Sequence, residues 1–463
     1  MQLSSLKSGQ AGYSNQGNKV KIAQTQCFRD LIDSGSVYVD KTEQIFRLLN
    51  TERTFIARPR RFGKTLMLDT IETLFEYGVD PCFRDTWIHD RWTEQTCPVL
   101  RLDFLKFGVS DYDGFAARFI GKIRSFAERL GLRGSIPDRS PGASLFTLFL
   151  ELRTSGKRIV ILIDDYDAPL SANAGNPALH DRFRKMLRDL QGILKGDPCI
   201  RYLVIAGTSR WKEPSFFSDL SDFRDMSFCM PVAEIAGFTR DEIRKYYICH
   251  LNLAVSLEKG IPEEEVTDAD RDELLDRLGE EYGGYSFDSF YERKVFSPWS
   301  VNSFFRDVMK NRRVTFGDYL DGCGTVPSVP SGLSESLRTG SGDCFQDIDV
   351  RMSDFWYRPS LRETKPEVLL CDAGYLTVHS PVPDGGSVTL GVPNREMQRA
   401  LEKALSAASS GNAGLSSGKP APAGGMTKEQ LDEELQSGMD DIAAGRVISA
   451  DDAGAEMRIM KGH

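Results

Sequence analysis

Several features are scarce in this chain, and each absence excludes something. No run of about 18 apolar residues occurs, so no membrane-spanning helix is expected. The first twenty residues are polar and rich in Gly and Ser, with no apolar stretch, so no secretory leader is expected and a cytoplasmic location follows by default. Nine cysteines stand at 27, 82, 97, 199, 229, 249, 323, 344 and 371; none forms a C-x-x-C pair, which reads as reduced thiols. The five histidines (His89, His180, His250, His379, His463) have no ligand spacing, so no structural zinc is expected. Positive charge is the minority sign, with 58 Lys and Arg against 67 Asp and Glu and a net charge of −9. That balance argues against a nucleic-acid binder over the whole surface and leaves a local basic patch open.

The 463 residues exceed one ordinary domain, and 40% hydrophobic with 27% charged residues suits a soluble globular protein. Residues 1–20 read as a flexible lead-in. Helices are expected over 27–31 and 41–49, the second capped by Asp40 with Glu43 as its capping-box partner. Apolar runs at 54–58, 98–104, 158–164 and 201–208 are separated by longer helical patterns. Continuous apolar runs such as Ile159-Val160-Ile161-Leu162-Ile163 suit strands covered on both faces. The alternation predicts an α/β, doubly wound, mostly parallel sheet over 21–235, with a fifth strand at 227–232.

Charged helical segments at 239–251 and 268–281 predict a helical lid over 236–310. Residues 311–402 read as a small mixed α/β region. It contains a Ser-, Gly- and Pro-rich loop at 325–342, strands paired between 367–378 and 387–392, and a helix after Pro393 capped by Asn394. Residues 403–425 have the composition of a disordered linker, and 426–463 regain an acidic helical pattern. No internal repeat is present.

The sharpest signal is Arg58-Pro59-Arg60-Arg61-Phe62-Gly63-Lys64-Thr65, a loop between a strand and a helix. Backbone N–H groups at such a helix start cradle phosphate oxygens, aided by the helix dipole. Lys64 is expected to reach the β- and γ-phosphates of ATP, and the Thr65 hydroxyl to bind Mg²⁺. Where the P-loop pattern has its first glycine, this chain has Arg58. Gly-Lys-Thr alone is common, and an ordinary basic helix start is the plain alternative.

The second signal is Ile159-Val160-Ile161-Leu162-Ile163-Asp164-Asp165, an apolar strand ending in carboxylates. In a Walker B arrangement Asp164 joins Thr65 on Mg²⁺ and Asp165 orients the attacking water. The plain alternative is a buried strand with a solvated acidic turn. The strand after it ends in Thr208-Ser209-Arg210. In a P-loop sheet it would lie between the other two, making Thr208 a candidate γ-phosphate sensor and Arg210 a candidate charge stabiliser.

With these residues on view, the chain resembles the bacterial AAA-ATPase-like family of P-loop proteins. The motifs are Tyr38-Val39-Asp40-Lys41-Thr42, the loop from Arg58 to Thr65, Leu162-Ile163-Asp164-Asp165-Tyr166-Asp167-Ala168-Pro169-Leu170, Gly237-Phe238-Thr239, Tyr282-Gly283-Gly284-Tyr285-Ser286-Phe287, Gly374-Tyr375-Leu376-Thr377 and Pro393-Asn394-Arg395-Glu396. The resemblance implies that Arg at position 58 is usual. It also implies that Glu is usual where Asp165 stands; one methylene shorter, Asp165 makes slow hydrolysis the expectation. Residues 38–42 would lie near the adenine or support the loop, or form a simple capping turn. The family is often linked to a C-terminal nuclease, but no D-x(n)-E-x-K cluster occurs in the last sixty residues. Instead, 426–463 weakly resembles the C-terminal segment of RelB-type antitoxins. Leu431, Leu435, Met439 and Ile442 share one helical face there, which would grip a protein partner or pack on the chain's own body.

The sequence therefore leads to an ATP- and Mg²⁺-binding P-loop ATPase that switches a lid or attached module. One alternative is a non-hydrolysing nucleotide-gated protein whose tail binds a partner. Another is a DNA-associated ATPase of a mobile-element or defence system, with Arg58, Arg60 and Arg61 as its basic patch. A homo-oligomer completing the site in trans is compatible with either.

Overall fold

The computed structural model describes residues 20–410 except 133, 135, 210–222, 289, 321–344, 346, 357–363 and 382–385. Arg210, the 325–342 loop and the antitoxin-like tail lie outside the described residues. Two helices, α1 (Phe28–Asp33) and α2 (Thr42–Leu48), precede a βα-alternating body. Its strands are β1 (Arg53–Ala57), β2 (Val99–Asp103), β3 (Ile159–Asp164), β4 (Ile200–Gly207) and the short β5 (Arg224–Asp225). Its helices are α3 (Lys64–Tyr77), α4 (Tyr112–Arg129), α5 (Pro141–Ser155), α6 (Ala168–Ala172) and α7 (Pro177–Leu194). The five strands pair in the order β2-β3-β4-β1-β5, and every pairing is parallel. The third signal strand, β4, thus lies between the phosphate-loop strand β1 and the acidic strand β3, as expected.

Alternation along β3 explains why it is apolar throughout. Ile159, Ile161 and Ile163 face a core built with α4, α5 and α7, while Val160 and Leu162 face a second core shared with α3. All six residues of β3 are buried. A central strand between two helical layers has no solvent face to be polar on.

The expected fifth strand is displaced. Met230–Val232 is a 3₁₀ turn, and the pairing with β1 is made earlier, by Arg224 and Asp225. The capping box on α2 does not form either. Asp40 accepts from Thr42 N (2.9 Å), Thr42 Oγ1 (2.7 Å) and Trp87 N (2.7 Å), while Glu43 pairs with Arg47. Residue 40 is committed to a long-range tie, which frees Glu43 for its i,i+4 partner.

Four helices follow: α8 (Arg240–Tyr246), α9 (Ile248–Lys259), α10 (Asp268–Tyr282) and α11 (Pro298–Asn311). They form one core around Leu251, Leu274, Phe304 and Phe305 that also takes in Val37 and Val39. Lys41 pairs with Glu242 at 2.6 Å, joining the α2 start to this bundle. A two-stranded ribbon lies between α10 and α11, made of β6 (Tyr285–Ser286) and β7 (Lys294–Val295). The last region carries β8 (Ile348–Arg351), α12 (Met352–Trp356), α13 (Pro366–Ala373), β9 (Thr377–Pro381), β10 (Ser387–Gly391) and α14 (Arg395–Ser410). Its strands form an antiparallel sheet, β8-β10-β9. The pairing expected of 367–378 with 387–392 is made only by the end of that stretch, because Pro366–Ala373 is helical. Asn394 does cap α14, accepting from Met397 N at 3.0 Å, but the helix continues to Ser410, through the first residues of the expected linker. The described residues up to Ser409 form one compact unit. Among the described residues no helix is long and apolar enough to cross a membrane, and the seven cysteines are free thiols.

Candidate functional site

The loop after β1 enters α3 through Gly63, whose φ of +94° places it in the left-handed region that only glycine adopts freely. Lys64 therefore begins the helix with its side chain turned back over the loop. Its Nζ donates to the carbonyls of Arg58 (2.8 Å) and Pro59 (3.0 Å). Burial lowers the ammonium's affinity for its proton, while Asp165, Asp167 and Asp164 oppose that effect. The three carboxylates at and just after the end of β3 thus act on this one lysine electrostatically.

The Arg58 side chain is buried among main-chain carbonyls. Its guanidinium is 1% exposed and donates to the carbonyls of Ala57 (2.8 Å), Ser227 (2.7 Å), Val232 (3.2 Å) and Ala233 (3.3 Å). Its Cζ lies 4.3 Å from the centre of the Phe287 ring. Arg58 pins the loop's stem to the segment after β5, which also removes it from any basic DNA patch. Arg61, with φ of +68°, places its guanidinium 4.2 Å over the Trp299 indole. Phe62 is buried edge-on against Tyr285 (4.7 Å) and Phe287 (5.5 Å). Arg60 is exposed at the mouth of the cavity described below.

At the acidic end, Asp164 is fully buried; its Oδ2 accepts from Arg101 Nη2 at 2.8 Å and its Oδ1 from Asp165 N at 3.1 Å. The same Arg101 nitrogen reaches the main-chain oxygen of Thr65 at 3.4 Å, so one guanidinium touches both expected metal-binding residues. Asp165 has a φ of +46°, and burial pushes its carboxyl up to about 6 against the pull of Lys64. Asp167 went unnoticed in the sequence, apart from its place in a motif. It is buried and accepts from Thr208 N (3.1 Å) and Ser209 N (2.9 Å), fixing the end of β4. Tyr166 adds a bond from its hydroxyl to Ser209 O at 2.7 Å. Gly207 allows this crossing: a Cβ there would come within 2.5 Å of Tyr166 and 2.7 Å of Asp167. The signal available in sequence was the spacing of Asp167 from Asp164, which alone did not separate a clamp from a solvated turn.

A cavity of about 520 Å³ opens over Gly63, Lys64, Thr65 and Asp165. Its far walls are residues 22–26, Tyr38, Val39, Ile235, Gly237, Phe238 and Tyr247, and its rim carries Trp299 and Arg306. The motif residues Tyr38, Val39 and Lys41 line this cavity, which favours the ligand-facing reading of 38–42 alongside the turn made by Asp40.

Among the described residues no group of three or more His, Cys, Asp or Glu is placed to hold a metal ion. The Thr65 hydroxyl and the Asp164 carboxylate still fit Mg²⁺ carried by a phosphate chain, since Mg²⁺ takes few protein ligands when phosphates supply the rest.

Residues 23–217 match the family model AAA-ATPase-like, described as a predicted AAA-ATPase. An uncharacterized protein in the vnfD 5′ region of Azotobacter chroococcum mcd 1 is 27% identical over 375 residues, which is 80% of this chain and 66% of that protein. Among solved structures, Cdc6p from Pyrobaculum aerophilum is 13% identical, with 86% of this chain and 98% of that chain covered and a TM-score of 0.27. The Aeropyrum pernix ORC1 protein, solved in complex with DNA, is also 13% identical, with 79% and 91% covered and a TM-score of 0.31. Likeness at those scores carries no argument for this chain. The family match spans residues 23–217, the part of the chain that holds β1 to β4 of the parallel sheet.

Proposed function

We propose that the chain binds Mg²⁺ with ATP in this cavity and hydrolyses the γ-phosphate. The observation that carries the reading is the convergence of two distant segments. The Gly63–Thr65 helix start and Asp165 line one cavity, and Arg101 bridges the Thr65 main-chain oxygen to the buried Asp164 next to Asp165. Lys64 neutralises the β- and γ-phosphates, exchanging its bonds to Arg58 and Pro59 carbonyls for phosphate oxygens. The N–H groups at the start of α3 cradle the same oxygens. Thr65 and Asp164 hold Mg²⁺, which supplies charge neutralisation on the transferred phosphoryl group. Asp165 accepts a hydrogen bond from the attacking water and aligns it. Thr208 faces the γ-phosphate from a backbone that Asp167 holds still. The adenine enters between residues 22–26 and the 235–238 turn.

Gly237 and Phe238 lead into the four-helix bundle, and Trp299 and Arg306 stand on its α11. Nucleotide in the cavity thus touches the bundle directly, which supports a lid that responds to occupancy. In cells this makes the chain an ATP-driven switch in the cytoplasm. Residues 426–463 are the segment through which it would engage a protein partner.

Titration with a fluorescent ATP analogue tests the binding step. Wild type is expected to bind in the micromolar range with Mg²⁺. Lys64→Ala is expected to weaken binding by roughly 10–100-fold, the worth of one or two charge-assisted contacts. Equal affinity in the two proteins would rule out this cavity as the phosphate site.

A further inference from the structure

Arg101 is spent in an unusual way. It stands on β2 beside β3, where Asp103 is in register with Asp164. Its side chain is largely buried, and its Nη2 serves both Asp164 Oδ2 and Thr65 O. Its Nη1 lies 3.8 Å from Glu72 Oε2 on α3. Yet Nε and Nη1 have no hydrogen-bond partner among the described residues. A buried guanidinium that leaves donors unmet is held by charge, and the charge it meets most closely is Asp164.

This matters because both Asp164 oxygens are already engaged, Oδ2 by Arg101 and Oδ1 by Asp165 N. The remaining donor set is thin: among the described residues no group of three or more His, Cys, Asp or Glu is placed to hold a cation. A free divalent ion approaching Asp164 would meet a fixed positive charge 2.8 Å from the carboxylate it needs. Magnesium bound to a nucleotide brings its own phosphate ligands and a net negative charge, and so overcomes that repulsion.

We propose that Arg101 is a resident counter-cation at Asp164 that excludes free divalent metal and admits it only as the metal–nucleotide complex. The proposal rests on the Mg²⁺–ATP reading of the cavity. It makes Arg101 a positioning residue that acts through Asp164 and Thr65.

Manganese is the probe, since it replaces Mg²⁺ on oxygen ligands and its binding is read from water-proton relaxation without turnover. Wild type is expected to take up no free Mn²⁺ at Asp164 below millimolar concentrations, yet to bind Mn²⁺ with a non-hydrolysable ATP analogue. Arg101→Gln is expected to bind free Mn²⁺ about tenfold more tightly or better. Adding Asp164→Asn should abolish that gain, and Arg101→Lys, which keeps the charge, should keep the exclusion. Free Mn²⁺ uptake by wild type that Asp164→Asn removes would overturn the proposal. So would a folded Arg101→Gln protein with no gain. The comparison of wild type with Asp164→Asn decides even if Arg101→Gln does not fold. Absence of nucleotide binding with or without metal would instead count against the ATP reading, a separate outcome.

Discussion

At the residue scale, Asp165 combines two unusual features. It has a φ of +46° and a carboxyl that burial pushes up to about 6. Two outcomes follow from the raised value. Turnover should rise as pH climbs through about 6 and level off above it, because only the carboxylate aligns water. Folding should run the other way. The proton is held more tightly in the folded chain than in the unfolded one, so its contribution is intact at low pH and lost as pH rises through about 6. Asp165→Asn keeps a residue tolerant of positive φ and removes the buried charge. It is expected to raise stability by roughly 2 kcal/mol at pH 7.5, with the gain shrinking as pH falls toward about 4. Thermal melts of both proteins across pH check this; a pH-independent difference would contradict it. Asp167 should behave oppositely. Asp167→Ala strands the buried N–H of Ser209 and frees Thr208, so a loss on the order of 2 kcal/mol is expected in denaturant titrations.

These residues show where sequence reading stops. Lys64, Thr65, Asp164 and Asp165 were legible because glycine-lysine-threonine and a carboxylate-ended apolar strand each have a local pattern. Arg101 and Asp167 were not, because their roles depend on register between strands and on a crossing at Gly207. Arg58 was legible only as a missing glycine. Its reason is four carbonyls, one from the preceding Ala57 and three from 227, 232 and 233, which lie 169 to 175 residues downstream.

At the element scale, the phosphate loop is braced from outside. Arg58 and Phe62 both rest on Phe287, Phe62 also on Tyr285, and Arg61 on Trp299. Installing the glycine of the general P-loop pattern should therefore harm the protein. Arg58→Gly is expected to cost on the order of 3 kcal/mol, since it strips a charged donor from buried carbonyls and adds backbone freedom. Urea titration measures it, and a neutral or stabilising result would show that the loop stands without this brace. Trp299 should also report occupancy. Arg61 lies over its ring and Arg306 lies 5.6 Å from it, one from the loop and one from α11. ATP drawing either guanidinium toward phosphate should shift tryptophan emission, and Trp299→Phe should remove most of that change. The sheet elements were legible from continuous apolar runs, whose burial β3 displays in full. The fifth strand was not, because 227–232 has strand-like composition but turns at Met230–Val232, and the pairing is made upstream by Arg224 and Asp225.

At the scale of the molecule, the C-terminal region shares the hydrophobic core of α3 rather than forming a body of its own. Glu396 shows the tie. It is 1% exposed and accepts from Ser300 Oγ (2.8 Å), Tyr319 N (2.6 Å) and Leu320 N (2.9 Å), joining α14 to α11 and the chain after it. Composition divided the chain at 236, 311 and 403, but shared cores cross the first two of those boundaries and α14 crosses the third. Only packing could show this, because a buried face looks alike whichever neighbour covers it. Motif residues from Tyr38 to Phe238 line one cavity, while Tyr285 and Phe287 brace its loop.

The most direct test is single-turnover conversion of ATP with Mg²⁺ by wild type and Asp165→Asn, with nucleotide affinity measured on the same samples. The account predicts that both bind ATP equally well, and that wild type releases phosphate while Asp165→Asn is slowed by about 100-fold or more. Equal rates in the two proteins, or no phosphate release by wild type with ATP bound, would contradict it.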